Sequence, residues 1–192
     1  EAAKAEGVEG MERNIDDLLA IVPTDVPYYA ITTQMGAAWI PLSDYRDFLR
    51  TALNGRDEDI HVTKQLGGYN IRIDGRTKDG TEAQNTYNVV DDAGNVHLSP
   101  SRIFQAAMNG TAIEVKVETR DAQNNKIFVV SETLTKRAMS LRDRIRNEFA
   151  RWVWQDEARA ARLSFEYNEA MNSIVNPKHD GSHLRLPGLA LS

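Results

Sequence analysis

Ser131-Glu132-Thr133-Leu134-Thr135-Lys136-Arg137-Ala138-Met139-Ser140-Leu141-Arg142-Asp143-Arg144-Ile145-Arg146-Asn147-Glu148-Phe149-Ala150-Arg151-Trp152 is the stretch whose period decides the fold. Ala138, Leu141, Ile145, Phe149 and Trp152 recur at spacings of 3, 4, 4 and 3, one stripe of a helix with 3.6 residues per turn. Asp156 then stands where an N-cap belongs, and Ala160, Leu163, Tyr167, Ala170 and Ile174 repeat the spacing until Asn176-Pro177 breaks it. The reading is an antiparallel pair of amphipathic helices, whose stripes must be covered by each other or by a sheet.

Working outward, the chain before Ser131 supplies that sheet. Met11, Ile15, Leu18, Leu19 and Val22 predict a helix stopped by Pro23 and Pro27. Pro41 at a first helical position, Ser43 as a cap and Tyr45, Phe48, Leu49, Ala52 and Leu53 on one face predict a second, ended by Asn54-Gly55. The period then changes to two. Ile60, Val62, Tyr69, Ile71 and Ile73 alternate about Gly67-Gly68 as a hairpin, and Thr86 to Val90 runs extended into an Asp91-Asp92-Ala93-Gly94 turn. Ile103, Phe104, Ala107 and Met108 predict a short helix between Ser99-Pro100 and Asn109-Gly110. Ile113, Val115 and Val117 with Ile127 to Val130 predict a second hairpin across Asp121–Lys126. The fold class expected is α+β: a small antiparallel sheet of about four to five strands, with N-terminal helices and a C-terminal amphipathic helix pair.

Composition bounds the rest. In 192 residues there are 23 basic and 28 acidic side chains, a net charge of −5, and no cysteine. A disulfide framework, a cysteine nucleophile and a Cys-based zinc site are therefore excluded. Apolar runs are too short for a membrane span or signal peptide, so a soluble, cytoplasmic protein in a reducing compartment is expected. Residues 1–134 carry 13 basic and 21 acidic side chains, and 135–192 carry 10 and 7, so charge changes sign near residue 131. The division expected is an α+β body over 1–130, a helical hairpin over 131–176 packed on it, and a loop over 177–192. A start at Glu1 and an apolar Leu189-Ala190-Leu191-Ser192 end suggest a piece of a longer polypeptide.

Catalytic signatures are scarce. No G-x-x-x-x-G-K-[ST] run offers the phosphate cradle and lysine of a P-loop, and the Gly67-Gly68 and Gly75…Gly80 pairs are too sparse for a dinucleotide fingerprint. Asp25-Val26-Pro27-Tyr28 lacks the second proline of the motif with which adenine methyltransferases hold the target amino group, and reads as a helix stop followed by an extended turn. His179-Asp180-Gly181-Ser182-His183 gathers donor types, but a Gly-containing loop does not put two His on one helix face, so a structured loop is favoured over a metal site or hydrolase triad. His61 and His97 have no partner nearby in sequence, and Asn109-Gly110-Thr111 reads as a helix C-cap rather than a glycosylation site. No catalytic, cofactor-binding or metal-binding residue is assigned.

The positive signal is the basic flank of the long helix. Arg137, Arg144 and Arg151 fall on one side of the apolar stripe, and Arg142 and Arg146 on the other. Six basic residues against Asp143 and Glu148 between 136 and 151 make a net charge of +4. A guanidinium row at this spacing can track phosphates, each contact adding to a salt-dependent affinity for DNA. The alternative is a solvated face whose arginines lay their stems along the core edge.

Two blocks carry a family resemblance. Phe149-Ala-Arg-Trp152-Val-Trp154-Gln-Asp156-Glu-Ala-Arg159-Ala-Ala-Arg162-Leu163, with Tyr167-Asn168-Glu-Ala-Met-Asn172-Ser-Ile174 and Asp180-Gly181-Ser182-His183-Leu184-Arg-Leu-Pro187-Gly188, is the longer. Met35-Gly36-Ala37-Ala38-Trp39-Ile40-Pro41 followed by Phe48-Leu49 is the other. Together they resemble the segment upstream of the helicase core in bacterial, plasmid and phage proteins that fuse an adenine-specific DNA methyltransferase to a Snf-type superfamily-two helicase, with phage antirestriction proteins as relatives. His179 stands where that pattern has an aromatic, and 56–128 matches only in outline. The resemblance implies a non-catalytic accessory domain of mobile-element origin that aids DNA engagement, or a structural adaptor docking the flanking methyltransferase and helicase domains. It puts ATP, magnesium and S-adenosylmethionine in those other domains and none here.

Overall fold

In the computed structural model of the chain, residues 23–74 and 86–173 are described. Two compact units divide them, Pro27–Glu166 and a smaller one that joins Glu1–Val26 to Tyr167–Ser192. The expected helix over 11–22, the loop at 179–183 and Ile174 lie outside the described residues.

The larger unit contains helices α1 (Leu42–Leu53), α2 (Pro100–Asn109) and α3 (Glu132–Trp152), with α4 (Glu157–Tyr167) running to its end. Its strands are β1 (Ile60–Gln65), β2 (Gly68–Ile73), β3 (Val89–Val90), β4 (Val96–Leu98), β5 (Lys116–Arg120) and β6 (Lys126–Val130). The α+β class is as expected. Among the described residues the strands are antiparallel and form three separate two-stranded ladders, β1–β2, β3–β4 and β5–β6, where the alternation anticipates one sheet. Local hairpin pairing is legible in sequence, but side-by-side joining of hairpins is a long-range choice.

Helix ends follow local chemistry. Asn54 closes α1 in the left-handed conformation, Ser131 Oγ accepts from Leu134 N, and Asp156 Oδ1 accepts from Arg159 N at 2.7 Å. Pro41 is the N-cap of α1, one position before the expected one, and Ser43 lies inside the helix without a capping bond. Two turns use one device. Asp91 Oδ1 accepts from Ala93 N and Asn95 N, and Oδ2 from Asn95 Nδ2; Asp121 does the same with Gln123 and Asn125.

The core is a chain of aromatic contacts beneath the α3 stripe. Phe149 stacks on Tyr45 at 5.2 Å and meets Phe48 edge-on at 5.2 Å. Phe48 continues to Trp152 and Phe104, and Phe104 to Tyr87. Ala138, Ile145 and Phe149 are fully buried, with Leu163 from α4 in the same cluster. Arg159 seals the α3–α4 turn: its guanidinium lies 3.6 Å from the Trp152 ring centroid and donates to the Trp152 and Val153 carbonyls at 2.6 and 3.0 Å. Asp44, 2% exposed, is held by Arg162 at 2.6 Å.

The Met35–Pro41 block has a packing reason. Gly36 has φ +92°, and a Cβ there would stand 1.9 Å from the Met108 carbonyl oxygen. The buried Tyr45 hydroxyl accepts from Gly36 N at 3.0 Å and donates to the Ala37 carbonyl at 2.9 Å. Asn109 clasps the β2 backbone, accepting from Tyr69 N at 2.7 Å and donating to Tyr69 O at 2.8 Å. Gly68, at φ +121°, leaves room for it. The smaller unit repeats this clasp: Asn168, in the π turn Asn168–Asn172, accepts from Val26 N at 2.8 Å and donates to Val26 O at 3.0 Å.

Gly36→Ala should lower stability by more than about 2 kcal/mol, through both strained φ and overlap with backbone. Burial, first among its causes, raises the Tyr45 pKa above its ordinary 10.0. The folded state thus holds this proton more tightly, a contribution complete below pH 10 and lost as pH rises beyond it. Tyr45→Phe should cost about 1–3 kcal/mol at neutral pH, by leaving Gly36 N–H unpaired while Ala37 C=O keeps its bond from Ile40 N, and should make the alkaline decline in denaturant melts shallower.

Candidate functional site: the arginine helix and the exposed hairpin

Each of the five candidate arginines on α3 has a partner within the fold. Arg137 donates to the Val90 carbonyl and to Asp92, both at 3.2 Å. Arg144 pairs with Glu148 at 3.1 Å and lies over the Tyr87 ring, whose hydroxyl donates to the same Glu148 at 2.8 Å. Arg142 pairs with Asp143 at 2.9 Å and donates to the Thr111 carbonyl. Arg146 Nε donates to the Ala107 carbonyl at 3.0 Å, which supplies a cation to the carboxyl end of α2. Arg151 reaches only Asn147 O of its own helix, at 3.3 Å.

Four of the five therefore reach beyond α3 or join its Glu148–Tyr87 bridge, and the two flanks bind different neighbours. Arg142 and Arg146 hold the end of α2, and Arg137 and Arg144 hold the segment around β3. Their stems and heads staple the helix to the body, so a phosphate would have to compete with these partners. Beside Arg146 lies a cleft of about 290 Å³ lined by Thr33, Gln34, Met35, Arg146, Asn147 and Ala150, in which Arg146 is the only charged side chain.

His61 and His97 have partners that sequence did not reveal. His61 Nε2 is 3.2 Å from Asp74, which also pairs with Arg72 at 2.9 Å. His97 Nε2 is 3.0 Å from Asp91 Oδ2. That contact, followed by the Asn95 bonds, holds the Asp91 carboxyl well below its ordinary range. No group of three or more His, Asp or Glu able to hold a metal occurs among the described residues. Nor is any described helix long and apolar enough to cross a membrane. Val26, from the Asp25–Tyr28 stretch, has its backbone in the Asn168 clasp, and Pro27 is extended before the 3-10 turn Tyr28–Ala30.

The surface that sequence reasoning missed is β6. Ile127, Phe128, Val129 and Val130 are consecutive, apolar and 38%, 67%, 42% and 48% exposed. The sequence places them in a hairpin strand without showing their exposure, since an apolar run without alternation is also the pattern of a strand buried on both faces. Their partner β5, Lys116-Val117-Glu118-Thr119-Arg120, alternates and covers one edge only. Of this ladder only Val117 packs against the core. The available signal was the mismatch between an unbroken apolar strand and an alternating, charged partner.

A family profile described as Domain of unknown function (DUF8437) matches residues 34–173. No curated protein and no solved structure matches the chain.

Arg146→Ala should cost about 0.5–2 kcal/mol in denaturant melts, because it uncaps α2. Arg151→Ala should stay within about 0.5 kcal/mol of wild type.

Proposed function

The chain belongs to the DUF8437 family, a domain of unknown function, and from its own residues we propose that it is a non-catalytic docking adaptor. It joins neighbouring protein modules through the β5–β6 hairpin and makes no direct contact with DNA. The observation that carries this reading is the Ile127–Val130 run, four apolar side chains in sequence left facing solvent on one strand. Phe128 and Val130 stand on one face of the strand and Ile127 and Val129 on the other; burying apolar area yields roughly 25 cal/mol per Å², so both faces gain when another protein covers the strand.

The arginine helix supports the same reading. A DNA-facing row needs guanidinium heads free to meet phosphates, and Arg137, Arg142, Arg144 and Arg146 already engage carbonyls, carboxylates or an aromatic ring. Exchanging these contacts for phosphates would give back part of each phosphate contact's gain. The acidic total of the chain opposes DNA approach further. The resemblance of the 35–41 and 149–188 blocks to the segment between methyltransferase and helicase supports those two modules as the neighbours. Any ATP, magnesium or S-adenosylmethionine is then theirs.

Titration of a labelled DNA duplex with the chain at two salt concentrations tests this reading. The expected result is no binding beyond the weak nonspecific range of about 10⁻⁴–10⁻⁶ M, unchanged when Arg137, Arg144 and Arg151 are all replaced by Ala. Tight binding whose salt slope falls by about three counterions in that triple variant would overturn it in favour of phosphate engagement.

A further inference from the structure

The β5–β6 ladder leaves a specific set of backbone groups unused. Its register pairs Lys116 with Val130, Val117 with Val129, Glu118 with Phe128, Thr119 with Ile127 and Arg120 with Lys126. Asp121 N donates to Asn125 O at one end, and Ser131 N to Val115 O at the other. Hydrogen-bonded pairs alternate in an antiparallel ladder, so Val117/Val129 and Thr119/Ile127 are the bonded pairs. Phe128 and its neighbours two residues away direct their N–H and C=O groups to the outer edge of β6. No described strand occupies that edge.

Exposed strand edges are ordinarily blunted by a proline, a bulge, inward charge or cover. β6 has no proline, its register is unbroken, and its one charge is Lys126 at the turn end. We propose that this edge accepts an extended strand from a different protein module, with apolar side chains at its centre and an acidic residue opposite Val130. The proposal rests on the adaptor reading and specifies its mode, strand addition rather than face packing.

The charges decide against a second copy of the chain. Antiparallel self-pairing of β6 with full overlap would place Phe128 against its symmetry mate, Ile127 against Val129, and Lys126 against Val130. One row of the resulting four-stranded face would then read Lys116, Val130, Lys126 and Arg120, three cations of which only Lys126 has an acid partner, and symmetry would repeat it. Lys116 has no ion pair among the described residues, whereas Lys126 is already bonded to Glu118 at 2.9 Å. An Asp or Glu opposite Val130 lies two strands from Lys116 on the same face, about 10 Å at the usual strand spacing, and the two long side chains can close over Val130. The apolar centre of the incoming strand meets Phe128 on that face and Ile127 and Val129 on the other.

Selection of a displayed library of random twelve-residue peptides on the immobilised full chain tests this. The expected peptides alternate apolar residues, carry Asp or Glu near one end and lack proline at the centre. Their affinity should fall about tenfold or more in Phe128→Pro, which removes an outward N–H and leaves the bonded pairs of the ladder intact. It should fall severalfold in Lys116→Glu and weaken between about 0.1 and 0.5 M salt. Because Phe128→Pro can perturb the strand itself, Phe128→Thr is run beside it; this keeps strand propensity and the N–H, and should lose less. Equal loss in the two Phe128 variants would overturn strand addition and leave a face-docking adaptor standing. An empty selection, or peptides indifferent to both variants, overturns the proposal outright. A concentration-dependent dimer of the chain, abolished by Phe128→Pro, overturns it by naming the second copy as occupant.

Discussion

Three distant segments of the larger unit meet at the carboxyl end of helix α2. Four carbonyls there lose their intrahelical partners, and a helix end buried in a core must find others. Arg146 reaches the Ala107 carbonyl, and the close approach of Gly36 brings the 35–41 turn onto Met108. Asn109 meanwhile holds the β2 backbone. Three segments far apart in sequence are thereby fixed to one helix terminus, and Tyr45 locks one of them through a buried hydroxyl. The aromatic chain from Tyr45 through Phe149 and Phe48 to Phe104 fills the space they enclose.

This constraint also accounts for the arginines. A basic flank on an amphipathic helix carries the same signature whether its heads meet phosphates or neighbouring carbonyls, because the wheel fixes direction and not distance. Arg142 and Arg146 point toward α2, where helix-end carbonyls concentrate partial negative charge. Arg137 and Arg144 point toward the segment around Asp92 and Tyr87. The basic flank is thus used inside the fold, its heads meeting backbone carbonyls, the Tyr87 ring and Asp92 of the preceding chain, and Asp143 and Glu148 of α3 itself. What remains for partners is the apolar hairpin.

Local grammar made the elements legible. Asn109-Gly110, Asn54-Gly55, Ser131 and Asp156 mark helix boundaries because capping depends on residues within one turn, and the period change at Ile60 announces the first hairpin. Tertiary facts were not legible. The requirement for Gly36 arises from a backbone 72 residues away in sequence, at Met108. The Asn109 side chain, legible as a C-cap, acts on Tyr69 across 40 residues. The exposure of Ile127–Val130 depends on what does not cover it, which no window of sequence contains. Three ladders where alternation suggested one sheet reflect the same limit: hairpins are local, and their mutual pairing is not.

The larger unit joins a locked helix terminus to an open strand edge, and native-state amide hydrogen exchange reads both at once. Gly36 and Tyr69 amides should exchange only through global unfolding, and within β6 the amides of Ile127 and Val129 should be slow while those of Phe128 and Val130 exchange freely. Phe128 and Val130 protected as strongly as their neighbours, or Gly36 and Tyr69 exchanging through local opening, would contradict this arrangement.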